Sequence, residues 1–291
     1  TIGVPVFRGH DTLPVLLERL RTQSYRNLDV LISVDNADAA SAAAARLIVD
    51  ADPRFRIVVQ SNRLGWAGNT DWTMHNARGA FYVYQQHDDV ISETYVADLV
   101  AAAARWPDAI ICFSRVRFTG DQSEDAFAPS LLGDPLTRTL TYLRRLDWVP
   151  LRGLVRTAAL RATDGLLLSD FDPHDSFGTE FRFMAQLARL GEFRLVEGPM
   201  YFKSWHGKNL SAKRAGALFR ITLDRFAGDR NLLDWIARVR AWMQERQGGA
   251  PAAPPAQPDR RKRDSFRRAW AVDLPSGQFT AEERPHVIRQ V

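Results

Sequence analysis

The feature that most constrains this chain is an alternation. Short apolar runs, each ending in polar residues, trade places with stretches whose apolar residues recur at helical spacing. Ile2-Gly3-Val4-Pro5-Val6-Phe7 reads as a buried strand, and Leu13, Leu16, Leu17 and Leu20 follow with the period of a helix that Asp11 is placed to cap. Residues 28–34 form a second apolar run ending at Asp35-Asn36; residues 39–49 are Ala-rich and helical; residues 55–59 form a third run ending near Asn62. Residues 66–78 read as a helix closed by Gly79. Residues 80–85 read as a strand ending at Gln86-His87-Asp88-Asp89. Ser92 is placed to cap a helix through Trp106, and residues 109–118 form one more strand.

Strands that alternate with helices build an α/β layer structure around a mostly parallel sheet. In such sheets ligands lie at the carboxyl ends of the strands. Asp35, Asn62, Asp88 and Asp89 collect at those ends, so a polar site is expected there. The second half is less regular. Residues 148–151, 193–196 and 200–205 look like strands, and residues 177–190 carry a broad apolar helical face from Phe181 to Leu190. Residues 210–246 read as helical, residues 247–259 as a Pro/Ala-rich linker, and residues 260–291 as a short basic tail.

Composition narrows the class. Of 291 residues 45% are hydrophobic and 25% charged, which suits a globular chain with a packed core. One cysteine, Cys112, excludes an internal disulfide or a Cys-based zinc cluster and reads as a small core residue. No stretch approaches the length of a membrane span and none reads as a signal peptide; the chain enters its first strand directly from Thr1, as a trimmed chain does. The expected location is cytoplasmic. The net charge of +5 owes much to Arg260-Arg261-Lys262-Arg263 and Arg267-Arg268. That run reads either as a solvated tail or as a contact for an anionic membrane surface. No nucleic-acid-binding motif accompanies it, so nucleic acid is not an expected partner.

Several α/β functions lack their signatures. The turn after the first strand, Phe7-Arg8-Gly9-His10, is not the Gly-rich turn of a dinucleotide fold, and neither a Walker-type phosphate loop nor a nucleophilic Ser elbow is present. The motifs that are present, in order, are Pro5-Val6-Phe7, Asp35, Asn62-Arg63-Leu64-Gly65 followed by Asn69, Gly79 before the fourth strand, Gln86-His87-Asp88-Asp89, Thr179-Glu180 eleven residues before Gly191, and His206 after the last strand. Together they resemble glycosyltransferase family 2 over about residues 2–211.

That resemblance implies the A-type glycosyltransferase fold: a Rossmann-like mixed sheet flanked by helices, here with a helical C-terminal extension. It implies a glycosyltransferase domain over residues 1–246. Its nucleotide-binding half would span about 1–118, its acceptor half about 119–211 and its C-terminal helices 212–246. The implied reaction moves a sugar from a nucleotide-diphosphate donor to a hydroxyl of a glycan or other acceptor, with inversion, as in cell-surface glycan synthesis. Pro5, Phe7, Asp35, Asn62, Arg63, Asn69, Gln86 and His87 would line the donor site. Asp88 and His206 would ligate Mn²⁺ or Mg²⁺, hard cations that favour carboxylate oxygen. Glu180 would be the catalytic base, with Asp175 its nearest rival. The family pattern is Asp-x-Asp-Asp, and Gln86 stands in place of its first Asp, which bears on metal affinity. Two other readings remain at this point: a nucleotidyltransferase that makes sugar nucleotides, and a non-catalytic sugar-nucleotide or glycan-binding protein.

Overall fold

The computed structural model describes residues 1–120, 125–163, 165–166 and 179–205. Its first half follows the alternation closely: β1 (Ile2–Val6), α1 (Leu13–Arg21), β2 (Val30–Val34), α2 (Ala39–Val49), β3 (Phe55–Val59), α3 (Gly65–His75) and β4 (Phe81–Tyr84). After β4 come β5 (Val90–Ile91), α4 (Tyr95–Arg105), β6 (Ala109–Gly120), β7 (Asp125–Ala126) and α5 (Pro135–Arg145). The described chain ends with β8 (Leu154–Arg156), α6 (Thr157–Arg161), α7 (Thr179–Leu190) and β9 (Glu192–Trp205). Among the described residues, no helix is long and apolar enough to cross a membrane. The expected helices over 210–246, the linker and the basic tail lie outside the described residues.

The strands make one mixed sheet in the order β3-β2-β1-β4-β8-β6-β9-β5, with β7 on β6. β1, β2, β3 and β4 are parallel; β8 runs antiparallel to both β4 and β6, so β6 and its parallel partner β9 point the same way as β1. All five residues of β1 and all five of β2 are buried, as expected of central parallel strands covered on both faces. From β1 the chain steps outward to β2 and β3, then returns to place β4 on β1's other side. The β1–β4 boundary is therefore the switch point of the sheet, the place at which open α/β sheets take ligands.

Proline marks the end of the pairing at that boundary. Gly3 accepts the Gln85 N–H at 3.0 Å, so its polar groups face β4. Two residues on, Pro5 faces the same side with no N–H to give, and the β1–β4 ladder ends at Gly3.

Several local expectations change. Thr12, not Asp11, occupies the N-cap of α1 and makes no side-chain cap; Gly9's carbonyl takes the first amides instead. Ser92 does not cap α4 through its hydroxyl, which accepts the Met200 N–H at 3.1 Å and so ties β9 to β5. Residues 148–151 are not a strand. Val149–Arg152 forms a 3-10 turn, since Pro150 cannot donate to a ladder. The two expected strands over 193–196 and 200–205 are one strand, β9, whose register against β6 slips between Phe113 and Arg115 to admit Gly198 at φ 109° and Pro199. Helix α5 was not anticipated, though Asp134-Pro135 announces it: Asp134 accepts the Leu136 and Thr137 amides at 3.0 Å each and Pro135 opens the helix.

The fit of α3 on β1 depends on Gly3. A Cβ there would meet the Tyr82 hydroxyl and, at 2.6 Å, Thr73 Oγ1, two groups that hydrogen-bond each other at 2.7 Å. Gly3→Ala should destabilise the protein by about 1–3 kcal/mol, the usual result of overpacking a filled core. Urea unfolding measures this; an unchanged midpoint would mean that α3 is free to shift away from the sheet.

Candidate active site

The loops at the carboxyl ends of the parallel strands are held together by side chains at four places. The first is Asp35, at the end of β2. It is 2% exposed, and its two carboxylate oxygens accept the Leu64 N–H at 2.7 Å and the Gly65 N–H at 3.0 Å. Asp35 thus fixes the start of α3, where Gly65 supplies the left-handed φ of 70°. Asn69 lies one helical turn further and is likewise buried. It accepts from Ser33 Oγ at 2.6 Å and donates to the Ser33 carbonyl at 2.9 Å. In this structure its amide is spent on joining α3 to β2. Asn62 and Arg63, just before α3, are exposed.

The second place is Phe7. Its partly buried ring has the guanidinium carbons of Arg8 and Arg63 each 5.1 Å from its centre, a cation–π arrangement that collects two positive charges beside β1's end. Arg8 adopts φ 54° and donates its backbone N–H to Asp38 at 2.8 Å.

The third is His87, which closes the β4 loop against the β1 loop. Its Nδ1 lies 3.0 Å from Thr12 Oγ1, and its ring passes so close to Gly9 that a Cβ there would meet Nδ1 at 2.8 Å.

The fourth is a buried charged cluster. Gln86 Oε1 accepts from Arg152 Nη2 at 2.8 Å and from Lys203 Nζ at 2.9 Å. Asp89 is fully buried. It accepts the Tyr201 hydroxyl and the Ser204 N–H at 2.9 Å each, with Lys203 Nζ at 3.6 Å. Burial pushes the Asp89 carboxyl up and the Lys203 ammonium down; the attraction between them opposes both shifts. Arg152 is 7% exposed and sits among aromatic rings, with Tyr84, Tyr201 and Trp148 centred 4.8, 5.7 and 5.8 Å from its guanidinium carbon. Asp88 is the loop's partly exposed carboxylate. Arg152 was not foreseen from the sequence. The available signal was a lone Arg closing the apolar run Val149-Pro150-Leu151, since a charged residue in such a run is buried only with partners.

Glu180 is partly buried in the first turn of α7, and its charge helps push the buried Tyr142 hydroxyl upward, behind desolvation. A helix that feeds a parallel strand starts on the carboxyl-end side of the sheet, and α7 enters β9 through Gly191 alone. His206 and Asp175 lie outside the described residues. Among the described residues, no three His, Cys, Asp or Glu side chains are grouped to hold a metal ion. Gln86 and Asp89 already spend their oxygens on protein donors. The fit for a divalent cation is therefore one carboxylate, Asp88, completed by oxygens from elsewhere.

Residues 1–162 match the Glycosyl transferase family 2 profile, more than half of the chain. The chain belongs to glycosyltransferase family 2. Among curated relatives, "Glycosyltransferase GlyA" of Streptococcus pneumoniae is 27% identical over 135 residues, covering 46% of this chain and 19% of the relative. "Putative glycosyltransferase EpsH" of Bacillus subtilis is 28% identical over 135 residues, covering 45% of this chain and 39% of the relative. The chain thus spans less than half the length of these relatives. Among solved structures, residues 1–349 of S. aureus TarS in complex with UDP-GlcNAc superpose with a TM-score of 0.56 at 14% identity, covering 99% of this chain and 78% of that one. The mannosyltransferase PcManGT from Pyrobaculum calidifontis, in complex with GDP-Man and Mn²⁺, gives 0.51 at 13% identity, covering 99% and 83%. The architecture is the A-type glycosyltransferase fold.

Asp35 is expected to line the donor site, and its two amide bonds give it a structural task as well. Asp35→Asn keeps one acceptor and turns an NH₂ toward the other amide, so thermal unfolding should register a loss of about 1–3 kcal/mol, the cost of an unsatisfied buried donor. A melting temperature equal to the parent's would show that the α3 start needs no such anchor.

Proposed function

We propose that this protein is a nucleotide-sugar-dependent glycosyltransferase that moves a sugar onto an acceptor hydroxyl with inversion at the anomeric carbon. The observation that carries the reading is the gathering of the Phe7, Asp35 and Gln86-to-Asp89 loops at the carboxyl ends of the parallel strands, in a chain of family 2. TarS and PcManGT, solved with UDP-GlcNAc and GDP-Man, share the fold and support a nucleotide-sugar donor.

In this reading the nucleoside lies toward the ends of β1 and β2, beside Phe7, Asp35 and the Asn62-Arg63 turn. The diphosphate lies toward the β4 loop. Asp88 would hold a divalent cation, Mn²⁺ or Mg²⁺, together with diphosphate oxygens; bound there, the ion would offset charge on the leaving diphosphate. Glu180 takes the proton from the acceptor hydroxyl as that oxygen attacks the anomeric carbon from the face opposite the diphosphate. The C–O bond to the diphosphate breaks as the new glycosidic bond forms, and a single displacement inverts the configuration. The acceptor is a glycan or another hydroxyl-bearing molecule. The basic run 260–268 is a contact for an anionic membrane surface, at about 1 kcal/mol per cation near the bilayer. It would hold a cytoplasmic enzyme at the inner face.

Two measurements test this reading. Glu180→Gln keeps the side chain's shape and removes its basicity. It should bind donor as the parent does while transfer falls by about 10²–10⁴-fold, the usual contribution of a positioned base. Near-parental transfer by that variant, or a product that retains the donor's anomeric configuration, would refute the mechanism. Truncation after Gly248 should leave donor hydrolysis intact and abolish sedimentation with phosphatidylserine vesicles at low salt. Equal sedimentation of both chains would reduce the tail to a solvated extension.

A further inference from the structure

The proposed reaction does not itself account for the buried cations under Gln86. Arg152 is buried and donates to the neutral Gln86, with the Tyr84 hydroxyl a second polar neighbour; among the described residues, its Nε and Nη1 have no hydrogen-bond partner. Aromatic rings surround it, and among the described residues no carboxylate reaches it by hydrogen bond. A buried cation held that way keeps most of its field, because ring faces attract a charge without cancelling it. Lys203, 8% exposed, donates to the same Gln86 oxygen and shares the carboxylate of Asp89 at 3.6 Å.

Charge bookkeeping then turns on position 86. The buried layer holds two cations, Arg152 and Lys203, against one anion, Asp89, for a net +1. Asp88 at the rim brings the loop as a whole to neutrality. An acidic residue at 86 would be met by both cations at once and would make the buried layer neutral and the loop negative. With Gln86 the geometry that receives those two hydrogen bonds is kept and the negative charge is left out.

We propose that Arg152 and Lys203, joined through Gln86, supply counter-charge to the donor's diphosphate from beneath the β4 loop, so that a nucleoside diphosphate binds this protein without a divalent ion. The inference rests on the donor site proposed above and goes beyond it in naming what meets the phosphates. Both cations act through the field and through the Gln86 loop, as positioning residues rather than catalytic ones. Their effect falls on phosphate-bearing ligands and not on the nucleoside.

The test is calorimetry on the full chain in EDTA, with UDP and GDP and with uridine and guanosine. Gln86→Glu is the decisive variant. It is isosteric, it offers the same oxygen to Arg152 and Lys203, and the added ion pairs favour folding. The parent should bind one of the two diphosphates in EDTA. Gln86→Glu should weaken that binding by about tenfold, the size expected of one added charge several ångströms away in a partly dry site. It should leave the matching nucleoside's affinity unchanged. Lys203→Met should act in the same direction and Lys203→Arg should restore binding. Diphosphate binding that appears only with Mn²⁺ would overturn this inference and leave the donor site standing. So would equal diphosphate affinity in Gln86→Glu and parent, or a loss shared equally by the nucleoside. No nucleotide binding with or without Mn²⁺ would overturn the donor-site reading and this inference with it.

Discussion

Asp89 is the point on which the two halves of this protein depend. A carboxylate with no exposure to water must be met by donors or it destabilises the fold. Its donors, the Tyr201 hydroxyl, the Ser204 amide and the Lys203 ammonium, all lie on β9, more than a hundred residues away in the chain. The demand of one buried charge therefore closes the β4 loop over the end of the last strand. β9 in turn pairs along most of β6, and among the described strands β6 joins the nucleotide-side sheet only through the short β8. Without Asp89 the β4 loop would keep its link to α1 through His87 and its Gln86 contacts, and lose its amide bond to the main chain of β9.

The cluster around Asp89 is not an efficient way to gain stability. Desolvating two cations and an anion costs several kcal/mol per ion, and their attraction returns that only when every partner is in place. A hydrophobic plug would hold the same elements together at less cost. That the site is charged, aromatic-walled and completed by a neutral amide argues that its electrostatics serve a ligand. The same weighing separates it from Arg138, which is also buried. Arg138 donates to the carbonyls of Ala188, Arg189 and Gly133, so its hydrogen bonds go to the C-terminal end of α7 and a turn. There a cation meets the negative end of a helix, and the local structure explains it fully.

Much of the fold was legible because periodicity reports burial. Residues 2–6 are apolar over strand length, residues 55–59 are so but for Arg56, and the helix over 39–49 shows its Ala-rich face, so the first half could be placed to within a few residues. The second half was harder for specific reasons. Gly198 and Pro199 divide β9 on paper, yet the strand absorbs them in an irregular register against β6. Val149-Pro150-Leu151 has a strand's composition, yet it closes into the 3-10 turn Val149–Arg152. In the site, residue types marked the right loops but not the roles. Asp35 and Asn69 were legible as polar residues at a strand end and a helix start; that Asp35 is satisfied by backbone amides and Asn69 by the hydroxyl and carbonyl of Ser33 depends on contacts across β2 and α3 that no local pattern encodes. Arg152 was missed because its neighbours in space come from β4, β9 and the turn before β8.

Strain completes the picture of how these loops are held. Arg8, Asn36 and Ala37 all adopt left-handed backbone, at φ 54°, 56° and 50°. For residues other than glycine this costs about 1–2 kcal/mol each. Among the described residues the one other such position, Leu146, closes α5; the cost at these three falls in the turns leaving β1 and β2, two strands buried along their whole length. The surrounding bonds show what imposes it: Arg8 gives its amide to Asp38, Ala37 gives its amide to the Gln60 carbonyl, and Asp35 takes two amides from the start of α3. Each turn is thus fixed by a neighbouring loop rather than by its own preference. A turn held that way has little freedom to lose when a ligand arrives, so less of the binding free energy goes into ordering it. The rigid strands and the strained turns are parts of one arrangement. Burial of β1 and β2 stabilises the sheet enough to hold these turns at the switch point, where open α/β sheets take a ligand.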